Sequence, residues 1–223
     1  MKNTRASFSN RRRQYQMSQR IRSNSRSQRQ PRPPLTYRQR GIERGGQSSD
    51  FSAPEVWYES EEREGSVRYV TEPAGPGYIH AVTVDEVRAR LELLPKKFQS
   101  QLEVVQLSRM TRKRSVFPCY GLQWGTTVYL YPIEESYREV YARPPHPEQL
   151  IEARMYGGKW CQDGDRWSLQ WTAETIRDFY LNNVLIHEVG HIYDDRNTGF
   201  EARERFANWF AIEYGYRASR RRR

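Results

Sequence analysis

Four histidines occur in the 223 residues, and two of them fall four apart in His187-Glu188-Val189-Gly190-His191. Four residues of α-helix advance about 400°, so the two imidazoles leave one face, a turn apart. Ring nitrogens at that separation can both reach a zinc ion, at about 2.0–2.1 Å each. Glu188 projects about 100° to the side. There it can hydrogen-bond a water on the metal instead of ligating the metal, which is the place of a general base. With four histidines and twenty glutamates in the chain, an H-E-x-x-H sequence arises by chance about 0.6 per cent of the time. The plainer alternative, two core histidines with their own hydrogen bonds, has to satisfy two polar rings on the buried face of an apolar helix.

A catalytic zinc takes a third protein ligand. No histidine follows His191, so the ligand must be a carboxylate: Asp194, Asp195, Glu201, Glu204 or Glu213. Asp194 and Asp195 are too close along the same helix to turn back on the metal. Asp194 shares the histidine face and suits an orienting hydrogen bond behind a ligand. Asn197-Thr198-Gly199 breaks the helix, and Thr198 with Glu201 has capping-box spacing, which gives Glu201 a structural use. Counting 100° per residue from Phe200 puts Phe206, Phe210, Tyr214, Ala207 and Ala211 on one apolar arc with it. Glu204 lies about 20° past the arc's edge, and Glu201 about 60° further into the polar side. Glu204 is the favoured ligand on this count, and Glu201 the alternative.

The elements that must position these residues can be read from pattern. A helix runs from Thr172 to about Tyr193 through Ile176, Phe179, Tyr180, Val184 and Ile186, and a second follows Gly199. Thr83 with Glu86 starts another, with Val84, Val87, Leu91 and Leu94 at helical spacing before Pro95. Strands are expected at 103–108, 126–131 and 167–171. Asp163-Gly164 marks a turn, with 151–160 as the strand on its far side. Arg143-Pro144-Pro145-His146-Pro147 reads as loop. The fold class is α+β.

The helix pair resembles the gluzincin class of zinc metallopeptidases, and within it the ImmA/IrrE-like and minimal bacterial metallopeptidase families. The resemblance rests on His187-Glu188-Val189-Gly190-His191 and on Glu204-Arg205-Phe206-Ala207-Asn208-Trp209-Phe210-Ala211, which is similar to those families' E-x-x-A-N-x-F-A helix. It covers about 172–214. It implies a zincin-like fold: a small twisted mixed sheet with an antiparallel edge strand beside the H-E-x-x-H helix, and a C-terminal ligand helix. The 165–171 strand suits the edge position. It further implies Zn2+ held by His187, His191 and Glu204, with Glu188 as the catalytic base in hydrolysis of a peptide or protein substrate. For the oxyanion donor Tyr193, Tyr214, Arg203 and His146 are the candidates.

The net charge of +10 comes from the ends of the chain. Residues 1–46 carry thirteen Lys and Arg against Glu43, and residues 217–223 hold five arginines. The body, 47–216, has 19 basic residues against 26 acidic ones. Residues 1–50 are built from Arg, Ser, Gln, Asn and Pro without an apolar period, so a disordered basic tail is expected, with Gly45-Gly46-Gln47-Ser48-Ser49 as its hinge. The domain is expected over 51–216 and an arginine-rich tail over 217–223. Such tails suit the phosphates of nucleic acid or another anionic partner. They equally suit an organelle transit peptide or a solubilising extension. A non-catalytic zinc-binding or structural domain tethered by them is the alternative to an enzyme. No apolar run is long enough to span a bilayer and no secretory signal is visible, so the expected location is cytoplasmic. Cys119 is read as a small buried hydrophobe in preference to a thiolate that caps zinc. His80 is read as a loop or strand histidine.

Overall fold

Thr83 opens helix α1 (Val84–Glu92) with a capping box: its side chain accepts from the Glu86 backbone N–H, and the Glu86 carboxylate accepts from the Thr83 N–H at 2.8 Å. The computed structural model that shows this describes residues 53–58, 66–116 and 119–221. The tail expected over 1–50, with its hinge, lies outside the described residues, as do residues 222–223. The architecture is mixed α and β.

The principal sheet has four strands in the order β1-β3-β5-β4: β1 (Arg68–Thr71), β3 (Val104–Leu107), β5 (Thr127–Leu130) and β4 (Gly121–Trp124). The first three are parallel, and β4 pairs antiparallel with β5 across a turn at Gly125, whose φ of 57° suits glycine. Register aligns Val105 with Val128 and Leu107 with Leu130. By alternation these four side chains share one face, and all are buried in the main core. The other face carries Gln106 and Tyr129. A two-stranded ribbon joins β2 (Tyr78–Ile79) to β6 (Ile133–Glu134). A separate antiparallel sheet has the order β7-β9-β8, from β7 (Arg138–Tyr141), β9 (Arg166–Gln170) and β8 (Lys159–Asp163).

Two sequence expectations change here. Residues 151–155 of the strand expected over 151–160, with Pro147 of the expected loop, belong to helix α3 (Pro147–Met155), after the short α2 (Arg112–Val116). Pro147 sits in the first turn, where its missing N–H costs nothing, and the His146 N–H donates to Gln149 Oε1 at 2.8 Å. The hairpin partner is therefore β8, joined to β9 through Gly164 at φ 56°. The 165–171 strand is not an edge strand either. It is the centre of its sheet, because β7 pairs along its other side. The antiparallel edge of the principal sheet is β4.

The two long helices are continuous but not uniformly α. The first comprises α4 (Ala173–Phe179), a π-helical segment (Tyr180–Val184) and α5 (Leu185–Ile192). The second comprises α6 (Phe200–Phe210), a π-helical segment (Ala211–Arg217) and α7 (Ala218–Arg220). Residues 217–220, expected as tail, thus continue the last helix, where Arg217 pairs with Glu213 and Arg220 with Asp178 at 2.6 Å. Ile176, Phe179, Tyr180, Val184, Leu185, Ile186, Val189 and Phe210 enter the main core, and the Tyr180 hydroxyl donates to the Tyr131 carbonyl at 2.6 Å. Two glycines let the helices approach. A methyl group on Gly190 would stand 3.1 Å from Ala207 Cα, and one on Gly215 would stand 1.9 Å from the Asn182 carbonyl oxygen.

Candidate metal centre

His187 and His191 face the same side of α5, with their Nε2 atoms 3.1 Å apart. Gly190, between them in sequence, lets α6 cross close enough to deliver Glu204. Its Oε2 lies 3.6 Å from His187 Nε2 and its Oε1 lies 3.3 Å from His191 Nε2. Three metal-ligating side chains or more converge nowhere else among the described residues. Tetrahedral bonds of 2.0–2.1 Å would put ligand atoms about 3.3 Å apart, so the observed separations fit one shared cation. Two imidazoles and a carboxylate are a donor set suited to zinc.

Burial by itself would raise the Glu204 carboxyl. Hydrogen bonds and positive charge from His187 and His191 outweigh it and hold the group well below the usual carboxylate range. His187 and Glu188 are each about 1% exposed. Glu188 stands outside the ligand group, on the side of the helix that meets the edge strand. There Gly121 is required: a methyl group on it would lie 2.9 Å from Glu188 Cγ and Oε1, and 2.8 Å from Val184 Cγ1. The carboxylate expected to act as base is therefore packed against β4, next in sequence to the ligand His187.

Glu204 lies with the two histidines and Glu201 does not. Gly199 is the N-cap of α6, so the capping-box position falls on Ala202, and the Thr198–Glu201 pair does not cap the helix. Glu201 is exposed and outside the metal group. Asp194, expected to orient a ligand, has one carboxylate oxygen committed elsewhere. Its Oδ1 accepts from the backbone and side-chain nitrogens of Asn197, at 3.2 and 2.7 Å, and so ties the turn between the helices. Among the described residues its buried Oδ2 has no hydrogen-bond partner, nor does His191 Nδ1.

The oxyanion candidates scatter. The Tyr193 hydroxyl accepts from the Gln101 N–H at 2.9 Å, and the Tyr214 ring packs on Phe98 and Phe210. His146 caps α3. Arg203 alone reaches the edge strand, with NH2 3.5 Å from Gln123 Oε1. Both cysteines are free. Cys119 is buried beside Tyr129 and Tyr131, with Arg114 NH1 at 3.6 Å, and Cys161 is exposed on β8. His80 Nε2 meets the Glu72 carbonyl at 2.7 Å.

Gly121, Gln123 and the whole of β4 were missed by the sequence reading. The available signal was a glycine within a strand, which marks close approach of another group. A second missed feature is Glu139 on β7, which accepts hydrogen bonds from the hydroxyls of Tyr120 and Tyr141. Burial pushes its carboxyl up to about 7 against the pull of those hydroxyls.

Among the described residues no helix is long and apolar enough to cross a membrane. Comparison with protein-family models, with curated proteins and with solved structures finds no match to this chain.

Proposed function

We propose that this chain is a zinc-dependent peptidase of gluzincin type, with a zincin-like core formed by the principal sheet, α5 and α6. The observation that carries the reading is the convergence of His187 Nε2, His191 Nε2 and the Glu204 carboxylate from two helices, with Glu188 beside them on the same helix as the histidines. His187, His191 and Glu204 would hold the zinc, which when bound would supply Lewis-acid activation of the substrate carbonyl and of the attacking water. Glu188 accepts the proton of the attacking water and returns it to the leaving amine. Its burial against Gly121 fixes the carboxylate and keeps bulk water from competing for it. An extended substrate adds to the outer edge of β4, where main-chain hydrogen bonds align the scissile peptide along the strand that touches Glu188.

The test is a pair of measurements on the full chain. Elemental analysis should give one zinc per chain, lost in His187→Ala. Glu188→Gln should retain zinc and lose turnover of unstructured protein substrates. A metal-free native protein, or full turnover by Glu188→Gln, refutes the reading. Zinc binding without turnover would favour a structural zinc domain.

A further inference from the structure

Arg203 is placed against local electrostatics. It lies in the first turn of α6, where the partial positive charge of the helix end disfavours a cation. Several other arginines of the described fold have carboxylate partners: Arg114 meets Glu55 at 3.6 Å, Arg177 meets Glu86 at 3.0 Å and Arg220 meets Asp178 at 2.6 Å. Among the described residues Arg203 meets a neutral amide, Gln123 Oε1, at 3.5 Å, and no carboxylate. Its Nε is buried with no hydrogen-bond partner among the described residues. A guanidinium carries five donors in a planar fork that matches a carboxylate, and here one donor is buried without a partner while the half-buried side chain leaves the fork open to an anion.

Its location gives that unmet demand a direction. Gln123 and Gly121 are two apart on β4, so both point from the same face of the strand. That is the face on which Gly121 meets Glu188. Two residues of strand span about 6–7 Å. The guanidinium therefore lies beside the edge strand, one or two residues along from the carboxylate proposed as base. Glu204, the next residue of α6, is turned to the histidines and is not available as its counter-ion.

We infer that Arg203, supported by Gln123, is a specificity residue that receives a carboxylate of the substrate one or two residues from the scissile bond. This rests on the peptidase reading above. Two sources share the chemistry, an Asp or Glu side chain within the substrate or a free C-terminal carboxylate. A charge-assisted contact of this kind should favour the acidic substrate on the order of tenfold to a hundredfold.

The experiment uses the zinc-loaded full chain and four sets of internally quenched peptides. One set is neutral and C-terminally amidated, a second carries Glu at successive positions and is amidated. A third is neutral with a free C-terminus, and the fourth carries Lys where Glu was. The expected result is a higher kcat/KM for the second or the third set, and which of them gains identifies the source. Arg203→Lys should keep part of the preference, Arg203→Gln should bring the ratio towards one, and Arg203→Glu should shift it towards the Lys peptides. Binding of the same peptides to zinc-loaded Glu188→Gln, followed by fluorescence anisotropy, should show the same ranking without turnover. Wild-type cleavage of all four sets at equal kcat/KM overturns the assignment and leaves the peptidase reading standing. Absence of cleavage, with anisotropy still ranking the acidic peptides through Arg203, refutes the peptidase reading and keeps the carboxylate site. Loss of thermal stability in Arg203→Gln with an unchanged ratio makes the residue structural and also overturns it.

Discussion

Gly215→Ala should be among the most damaging single-methyl changes in this chain. The added carbon would stand 1.9 Å from the Asn182 carbonyl oxygen and 2.9 Å from its carbon, and both are backbone atoms that no rotamer change can move aside. An ordinary contact between such atoms needs more than 3 Å, so the two long helices would have to separate by about 1 Å or more where they cross. Asn182 is not free to yield. Its carbonyl accepts from the Tyr156 hydroxyl at 3.0 Å, and its side chain links Arg90 to Asp178, which in turn holds Arg220. Overpacking of a well-filled site costs about 1–3 kcal/mol, and the rigid obstacle puts this case at about 3 kcal/mol or above. In a domain of this size each kcal/mol lowers Tm by about 2–4 °C, so a fall of about 6–12 °C is expected by calorimetry or far-ultraviolet circular dichroism. Gly199→Ser is the control. Nothing lies within 4 Å of the added carbon, and serine is a good N-cap, so its effect should stay within about 0.5 kcal/mol. A Gly215→Ala protein with wild-type Tm would refute the close approach of the two helices at Asn182.

Three other outcomes follow from the site and its surroundings. Glu204→Ala should abolish stoichiometric zinc binding, whereas Glu201→Gln should leave it intact, as read by elemental analysis after dialysis. Gly121→Ala should displace Glu188 and lower kcat more than zinc content, because the new methyl group meets that carboxylate and not the ligands. Glu139 has its folded pKa raised to about 7 by burial, so the folded state holds the proton more tightly. Its contribution to stability is complete below about pH 4.5 and is lost as pH rises through 7, by about 3 kcal/mol at most. Glu139→Gln should flatten that part of the Tm–pH curve, and an unchanged slope would remove Glu139 as its source.

What could be read from sequence was what depends on short-range spacing. The Thr83–Glu86 capping box, the shared face of His187 and His191, and the arc that placed Glu204 nearer the core than Glu201 are all set within two turns of helix. What failed depended on competition between neighbours. Thr198 and Glu201 have capping spacing, but Gly199 takes the N-cap and moves the frame by one residue. Residues 151–155 join a helix because Pro147 and Gln149 start one upstream. The 165–171 strand looks like an edge from its own alternation. Its second partner, Arg138-Glu139-Val140-Tyr141, is too polar to announce a strand. The edge next to Glu188 belongs to Gly121–Trp124, where only a glycine gave notice. The π-helical segments have no marker in composition, since the hydrogen-bond register shifts in response to packing.

Those two segments bear on how this chain tolerates insertion and deletion. A π turn holds an extra residue without interrupting the helix around it. Removing one residue from Tyr180–Val184 would restore α geometry there and leave Ile176 and Phe179 on one side, and the histidines on the other, on their present faces. Removing one from Leu185–Ile192 has no such buffer and would turn one side by about 100° relative to the other. The reading frame of helical phase is thus fixed independently on each side of the bulge. A change in length within an α segment is a change in which residues meet the metal, whereas the π segments and the turn at 194–199 can absorb one without that consequence.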